Sequence, residues 1–162
     1  MSDNNNALDL QSYLPYRLSV VSNQVSNMVS QLYRDRFGLS IWQWRVIAML
    51  GATGQRTAQQ VAKQAAMDKM TVSRAVMGLL KRDLIARSLS PNDRRAQILR
   101  LTKTGQTIHD EIAPLAKQQE TALLEGMSPD EIRLLFCLLE ALEQKAIAVT
   151  SDGLLVDPQS NN

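Results

Sequence analysis

Apolar positions fall into helical stripes over most of the chain. Leu14, Leu18, Val21, Val25, Met28, Val29 and Leu32 recur every three or four residues, the spacing that places side chains on one helix face. The stripe predicts a helix capped by Ser12, with Pro15 tolerated in its first turn, that runs to about Phe37 and ends at Gly38. Ser40 caps a shorter segment, Ile41 to Leu50, which the glycines of residues 51–54 stop. Thr57 caps a third over residues 58–67, marked by Val61 and Ala65. Asp68 caps a fourth, Lys69 to about Arg82, marked by Val72, Val76, Leu79 and Leu80. Two short helices separated by only about three residues predict a helix-turn-helix.

The period then changes. Residues 85–90 and 97–101 alternate between faces, with Leu89, Leu99 and Leu101 available to a core. Pro91-Asn92-Asp93 between them is turn chemistry, so the two runs predict a hairpin. Thr102 opens a long helix carrying Ile108, Ile112 and Leu115, with a bend expected at Pro114. Ser128-Pro129-Asp130-Glu131 combines a capping box, a first-turn proline and acids at the positive end of the helix dipole. Ile132, Leu135, Leu138, Leu139, Leu142, Ala146 and Val149 line one side of the helix that follows. The expected fold class is mainly α: one domain, with a helix-turn-helix and two-stranded β wing at about 40–102, long helices at about 10–37 and 103–149, and loose termini at 1–9 and 150–162.

Composition supports helices packed on helices, since aromatics make up only 4% of the 162 residues. No run of about 18 apolar residues exists, so no membrane span is expected. The opening residues MSDNNNALDL have no basic region followed by an apolar one, so no secretory signal is expected either. Cys137 is the only cysteine, which precludes an intramolecular disulfide and fits a reducing cytoplasm. The net charge of +2 conceals a strong segregation. Residues 56–103 hold eleven Lys and Arg against three carboxylates, a net of +8, and residues 104–162 hold three against ten, a net of −7. A basic middle segment points to a polyanion partner, against the plainer reading of solvated faces segregated by chance.

The order of elements resembles that of MarR-family transcriptional regulators. Four local matches carry the resemblance, over roughly residues 10–147. GLSIWQWRVIAML (38–50) is similar to the family's Leu-Thr-x-x-Gln-Trp opening, with Ser40, Gln43 and Trp44 in place. MDKMTVSRAVMGLLKRDLIAR (67–87) is similar to its recognition-helix segment, with Ser73-Arg74 at the Thr-Arg position. DRRAQILRLT (93–102) matches the Asp-x-Arg wing, and LTKTG (101–105) the start of the fifth helix. Two positions depart from the family pattern. Asp83 stands where glycine usually ends the recognition helix, which requires aspartate to take a left-handed backbone. Met77 stands where many members carry an acid, so a charge network there does not transfer.

In a helix-turn-helix the second helix presents its first turns to base edges while neighbours grip phosphate. The candidate reading residues are therefore Lys69, Thr71, Ser73 and Arg74. Arg74 suits either guanine O6 and N7 or a phosphate, and the sequence leaves both open. An ordinary solvated face is the competing reading for Lys69 and Arg74. Gly78 inside this helix costs about 1 kcal/mol relative to alanine, which points to close packing on a neighbouring helix rather than to approach by DNA. The resemblance implies that the hairpin enters the minor groove with Arg95 as its probe, Asp93 holding the loop and Arg94 on phosphate.

Nothing points to an enzyme. His109 is the sole histidine, and one His with one Cys cannot make the usual structural zinc sets. Neither metal nor cofactor is expected. Gly51-Ala52-Thr53-Gly54 lacks the lysine and spacing of a phosphate loop. Cys137, on an apolar stripe, reads as a small hydrophobe. The terminal stripes exceed what one small winged helix can cover, so a homodimer facing a pseudo-palindromic double-stranded operator is expected. The resemblance further implies a repressor released by a small effector in a crevice near the dimer helices, where Tyr13, Tyr16, Arg17 and Trp44 would suit a flat aromatic acid. The competing assignment puts Trp44 in the core and Arg17 in a surface ion pair. The alternative function is a helical dimeric interaction or scaffold protein whose basic wing has no specific DNA target.

Overall fold

Local hydrogen bonds at the helix starts set most of the architecture in the computed structural model, which describes residues 8–65, 67–89 and 96–151. Helix α1 (Leu14–Phe37) begins without a side-chain cap. Its N-cap is Tyr13, and Ser12, expected in that role, bonds Asp9 instead. Pro15 does lie in the first turn, and left-handed Gly38 ends the helix. Helix α2 (Ile41–Thr53) opens on a reciprocal capping box between Ser40 and Gln43 and continues through Gly51 to a left-handed Gly54, one turn beyond expectation. A short strand β1 (Gln55–Thr57) leads into α3 (Ala58–Gln64), where Thr57 and Gln60 form a second box. Asp68 caps α4 (Lys69–Lys81) through the Thr71 N–H.

After α4, Asp83 takes the left-handed backbone that the family resemblance implies, with φ 53. Strands β2 (Ile85–Leu89) and β3 (Gln97–Leu101) follow. The sheet has three strands rather than two, because β1 pairs antiparallel with β3 and gives the order β1-β3-β2. Leu99 on the central strand and Ile85 opposite Leu101 are buried at the base of the hairpin. Leu89 is on the same face but 64% exposed, because it lies beyond the helices at the far end of the strand. It does not join the core as expected.

The chain divides into two compact units, residues 1–119 and 120–162. The core of the first joins Leu39, Ile47 and Leu50 to Val61, Val72 and Leu79, with Leu84, Ile85, Leu99 and Ile112 closing it. Helix α5 (Lys103–Leu123) docks on this core through its start. Thr102 donates its hydroxyl to the Asp83 carbonyl and its N–H to the Leu84 carbonyl, and its oxygen accepts from Gly105 N–H. A β-carbon at Gly105 would meet the Leu84 oxygen at 1.9 Å, so only glycine permits this approach. The helix continues through Pro114. Within the second unit, the Ser128–Glu131 box opens α6 (Pro129–Ser151), whose Leu134, Phe136, Leu138, Ile147 and Val149 are exposed in the single chain. Among the described residues no helix is long and apolar enough to cross a membrane.

Candidate nucleic-acid interface

Helix α4 divides cleanly. Val72, Ala75, Val76 and Leu79 are buried, and Lys69, Met70, Ser73, Arg74 and Met77 form the opposite, exposed face. This is what a 3.6-residue period produces when one stripe is apolar. Gly78 lies against Gln43 of α2, whose side-chain nitrogen would be 2.5 Å from an added β-carbon. The mid-helix glycine therefore serves helix packing, as the sequence suggests.

The exposed face is bordered by two recesses. On one side Arg74 and Thr71 share a cleft of about 260 Å³ with Ser40, Trp42 and Gln43 of the α2 start. Trp42 is exposed, and the Arg45 guanidinium lies 5.1 Å over its ring, a cation–π arrangement. On the other side a groove of about 490 Å³ runs between α4 and the wing, with Lys69, Ser73 and Met77 facing Arg87 and Gln97 across an apolar floor. Arg87 donates to the Gln97 side chain at 3.3 Å, a cross-strand bond that holds its guanidinium beside the helix. Sequence reasoning passed over Trp42, Arg87 and Gln97. The available signal for Arg87 was strand alternation, which puts it on the face of Ile85.

Thr71 is less free than its position suggests. Its hydroxyl donates to Asp68 at 2.5 Å, leaving only its oxygen lone pairs for a base or phosphate. That bond, with the Thr71 N–H, holds the Asp68 carboxyl below the usual carboxylate value. Lys69, Thr71, Ser73 and Arg74 thus occupy one helix turn and its continuation. Asp93, Arg94 and Arg95, expected to act from the wing, lie outside the described residues.

The four residues expected to face an effector are not brought together. Tyr13, Tyr16 and Arg17 are exposed at the start of α1, where Arg17 reaches Gln11 at 3.5 Å. Trp44 is core, stacked between Tyr33 of α1 at 5.8 Å and His109 of α5 at 6.2 Å. Tyr33 lies roughly 25 Å along the helix from Tyr16 at about 1.5 Å per residue. His109, besides stacking on Trp44, has its Nδ1 beside Asp110 at 2.9 Å.

A helix-turn-helix whose second helix exposes a cationic face, followed by an antiparallel hairpin, defines a winged-helix protein of the DNA-reading type. A family model described as MarR family matches residues 37–96. A MarR family transcriptional regulator of solved structure from Silicibacter pomeroyi DSS is 30% identical, with 90% of this chain and 98% of that one covered and a TM-score of 0.73. The chain belongs to the MarR family of transcriptional regulators. A MarR/EmrR family regulator from Acinetobacter sp. ADP1 is 26% identical, with 87% and 99% covered and a TM-score of 0.80. The HTH-type transcriptional regulator FarR of Neisseria gonorrhoeae is 29% identical over 109 residues, 67% of this chain and 75% of FarR. Two more distant structures share the fold. One is a Listeria monocytogenes regulator complexed with 26mer DNA (17% identical, 88% and 96% covered, TM-score 0.78). The other is Bordetella bronchiseptica BpsR, whose DNA binding is regulated by 6-hydroxynicotinic acid (24% identical, 85% and 98% covered, TM-score 0.73).

Proposed function

We propose that this chain binds double-stranded DNA sequence-specifically as a cytoplasmic homodimer and represses transcription until a small aromatic acid releases it. The observation that carries the reading is the exposed face of α4, where Lys69, Ser73 and Arg74 lie between the Trp42 cleft and the Arg87 groove. DNA backbone flanking a read groove would be gripped on both sides of such a helix. Asp93, Arg94 and Arg95 complete the proposed interface from the wing. The Listeria relative's complex with DNA supports the polyanion, and the BpsR relative's ligand supports the acid.

The dimer is proposed from exposure. Leu135 and Leu139, with Leu134, Phe136 and Leu138, leave α6 apolar and uncovered in the single chain. Fully burying each such side chain stabilises by about 1.5–3 kcal/mol, so a second copy is the proposed cover. For the effector, Tyr13, Tyr16 and Arg17 remain the proposed contacts, two phenols and a guanidinium at the same helix end.

The test is selection of fragments from genomic DNA by the purified protein, followed by binding measured against salt. The expected result is a preferred pseudo-palindrome, a steep salt slope, and an affinity loss of about 1–3 kcal/mol in Arg74→Ala. Binding without sequence preference, unchanged in Arg74→Ala, would favour the scaffold function instead.

A further inference from the structure

Helix α4 is held along its buried stripe and, past its end, by the bonds of Thr102 to Asp83 and Leu84; one further side-chain contact ties its end to α1. Arg82 follows the last residue of α4, immediately before left-handed Asp83 turns the chain into the wing. Its guanidinium forks back across 44 and 45 residues of sequence, Nη1 to the Gly38 carbonyl at 3.1 Å and Nη2 to the Phe37 carbonyl at 2.6 Å. The Phe37 carbonyl is one of the last four of α1, which have no partner within the helix, and Gly38 is the cap that follows it. Gly38 N–H already satisfies the Arg34 carbonyl and Leu39 N–H the Tyr33 carbonyl. The two carbonyls that Arg82 reaches also lie at the negative end of the α1 dipole, where a cation is favoured.

We infer that Arg82 is a positioning residue that ties the reading helix to α1 and so sets the pitch of the reading helix relative to the dimer. The inference rests on the dimeric DNA-binding reading above. Apolar packing against α2 is non-directional and tolerates small rotations and slides, whereas a planar fork on two carbonyls is directional. The fork therefore adds a directional tie to α1 at the end of α4, beyond what the packed stripe supplies. Arg82 is solvent-exposed, so its charge alone is heavily screened; the geometry of its two bonds is what matters. In a two-fold dimer, the pitch of each α4 decides how far apart the two reading faces sit. Arg82 thereby becomes a determinant of half-site spacing without touching a base.

The experiment compares wild type, Arg82→Ala and Arg82→Lys on the operator that wild type selects and on versions with one base pair added or removed between half-sites. Salt slopes and melting temperatures are measured alongside. Wild type should discriminate strongly against altered spacing, and Arg82→Ala should lose roughly tenfold of that discrimination, with its salt slope unchanged. Arg82→Lys, a single point charge that cannot fork, should restore only part of it. Unchanged discrimination in Arg82→Ala overturns the inference. So does full restoration by lysine, or a salt slope lowered by about one in Arg82→Ala, the mark of a direct phosphate contact. Should Arg82→Ala fail to fold, Arg82→Lys with wild-type discrimination still overturns it. A wild type with no preferred operator refutes the underlying DNA-binding reading, an outcome distinct from the others.

Discussion

Replacing Gly105 by alanine tests how α5 is joined to the winged helix. The new β-carbon would lie 1.9 Å from the Leu84 oxygen and 3.0 Å from its carbon, where about 3.3 Å is the closest comfortable carbon–oxygen approach. Both groups belong to backbone held on each side, so the α5 start must move by roughly 1.4 Å, the difference between those distances. That shift strains the Thr102 N–H bond to Leu84 and the Thr102 hydroxyl bond to Asp83. Two such bonds contribute about 1 kcal/mol each, and overpacking costs about 1–3 kcal/mol. Alanine's better helix propensity returns at most about 1 kcal/mol, for a net loss of about 2–4 kcal/mol. At about 2–4 °C per kcal/mol, the melting temperature should fall by roughly 5–15 °C. Gly78→Ala is the internal comparison. Its β-carbon meets only the free end of the Gln43 side chain at 2.5 Å, which can swing away at the expense of its bond from Ser40 N–H. Loss of that bond and the gain in propensity nearly cancel, leaving a change within about 1 kcal/mol. Circular dichroism melts at matched protein concentration decide the matter. A Gly105→Ala variant no less stable than Gly78→Ala would refute the close-approach reasoning.

Three further expectations concern assembly, acid and ligand. Leu138→Glu should convert the dimer to monomer in sedimentation at micromolar concentration, and a wild type already monomeric there would refute the α6 interface. Asp68 has its carboxyl held below 3.8 chiefly by the Thr71 hydroxyl; a depressed folded-state value stabilises above the ordinary carboxylate range and is lost as pH falls through it. Asp68→Asn keeps a capping side chain but removes that titration, so its melting temperature should decline less steeply than the parent's below about pH 4, and parallel declines would count against the assignment. An aromatic carboxylate should release the protein from DNA, with Arg17→Ala blunting release while leaving affinity without ligand nearly intact; a panel of such acids that changes neither melting nor binding would remove this trigger.

The features legible in the sequence were those whose causes lie within a few residues of each other. Ser40, Thr57, Asp68 and Ser128 mark helix starts because a cap bonds three residues ahead. The buried stripe of α4, and hence its reading face, follows from period alone. The left-handed turn at Asp83 follows from the family resemblance, which has glycine at that place, and aspartate is one of the few other residues that tolerate it. Apart from Ser12, which bonds Asp9 instead of capping α1, the failures are non-local. Strand β1 is three residues long, too short for any alternation to register, and exists because β3 offers it a partner more than forty residues away. Helix α2 continues through Gly51, where the His109 ring of α5 fills the space a β-carbon would need, so this glycine serves packing and not a stop. Trp44 carries no sequence mark that separates a ligand-facing indole from a core one; the rings of Tyr33 and His109, contributed by two other helices, make it core. Arg82 looked like one more cation in a basic segment, and only the fold sets the carbonyls of Phe37 and of the cap Gly38 before it. Propensity, period and capping act along the chain and can be read from it, whereas which donor meets which orphaned acceptor is decided by the packing of elements distant in sequence.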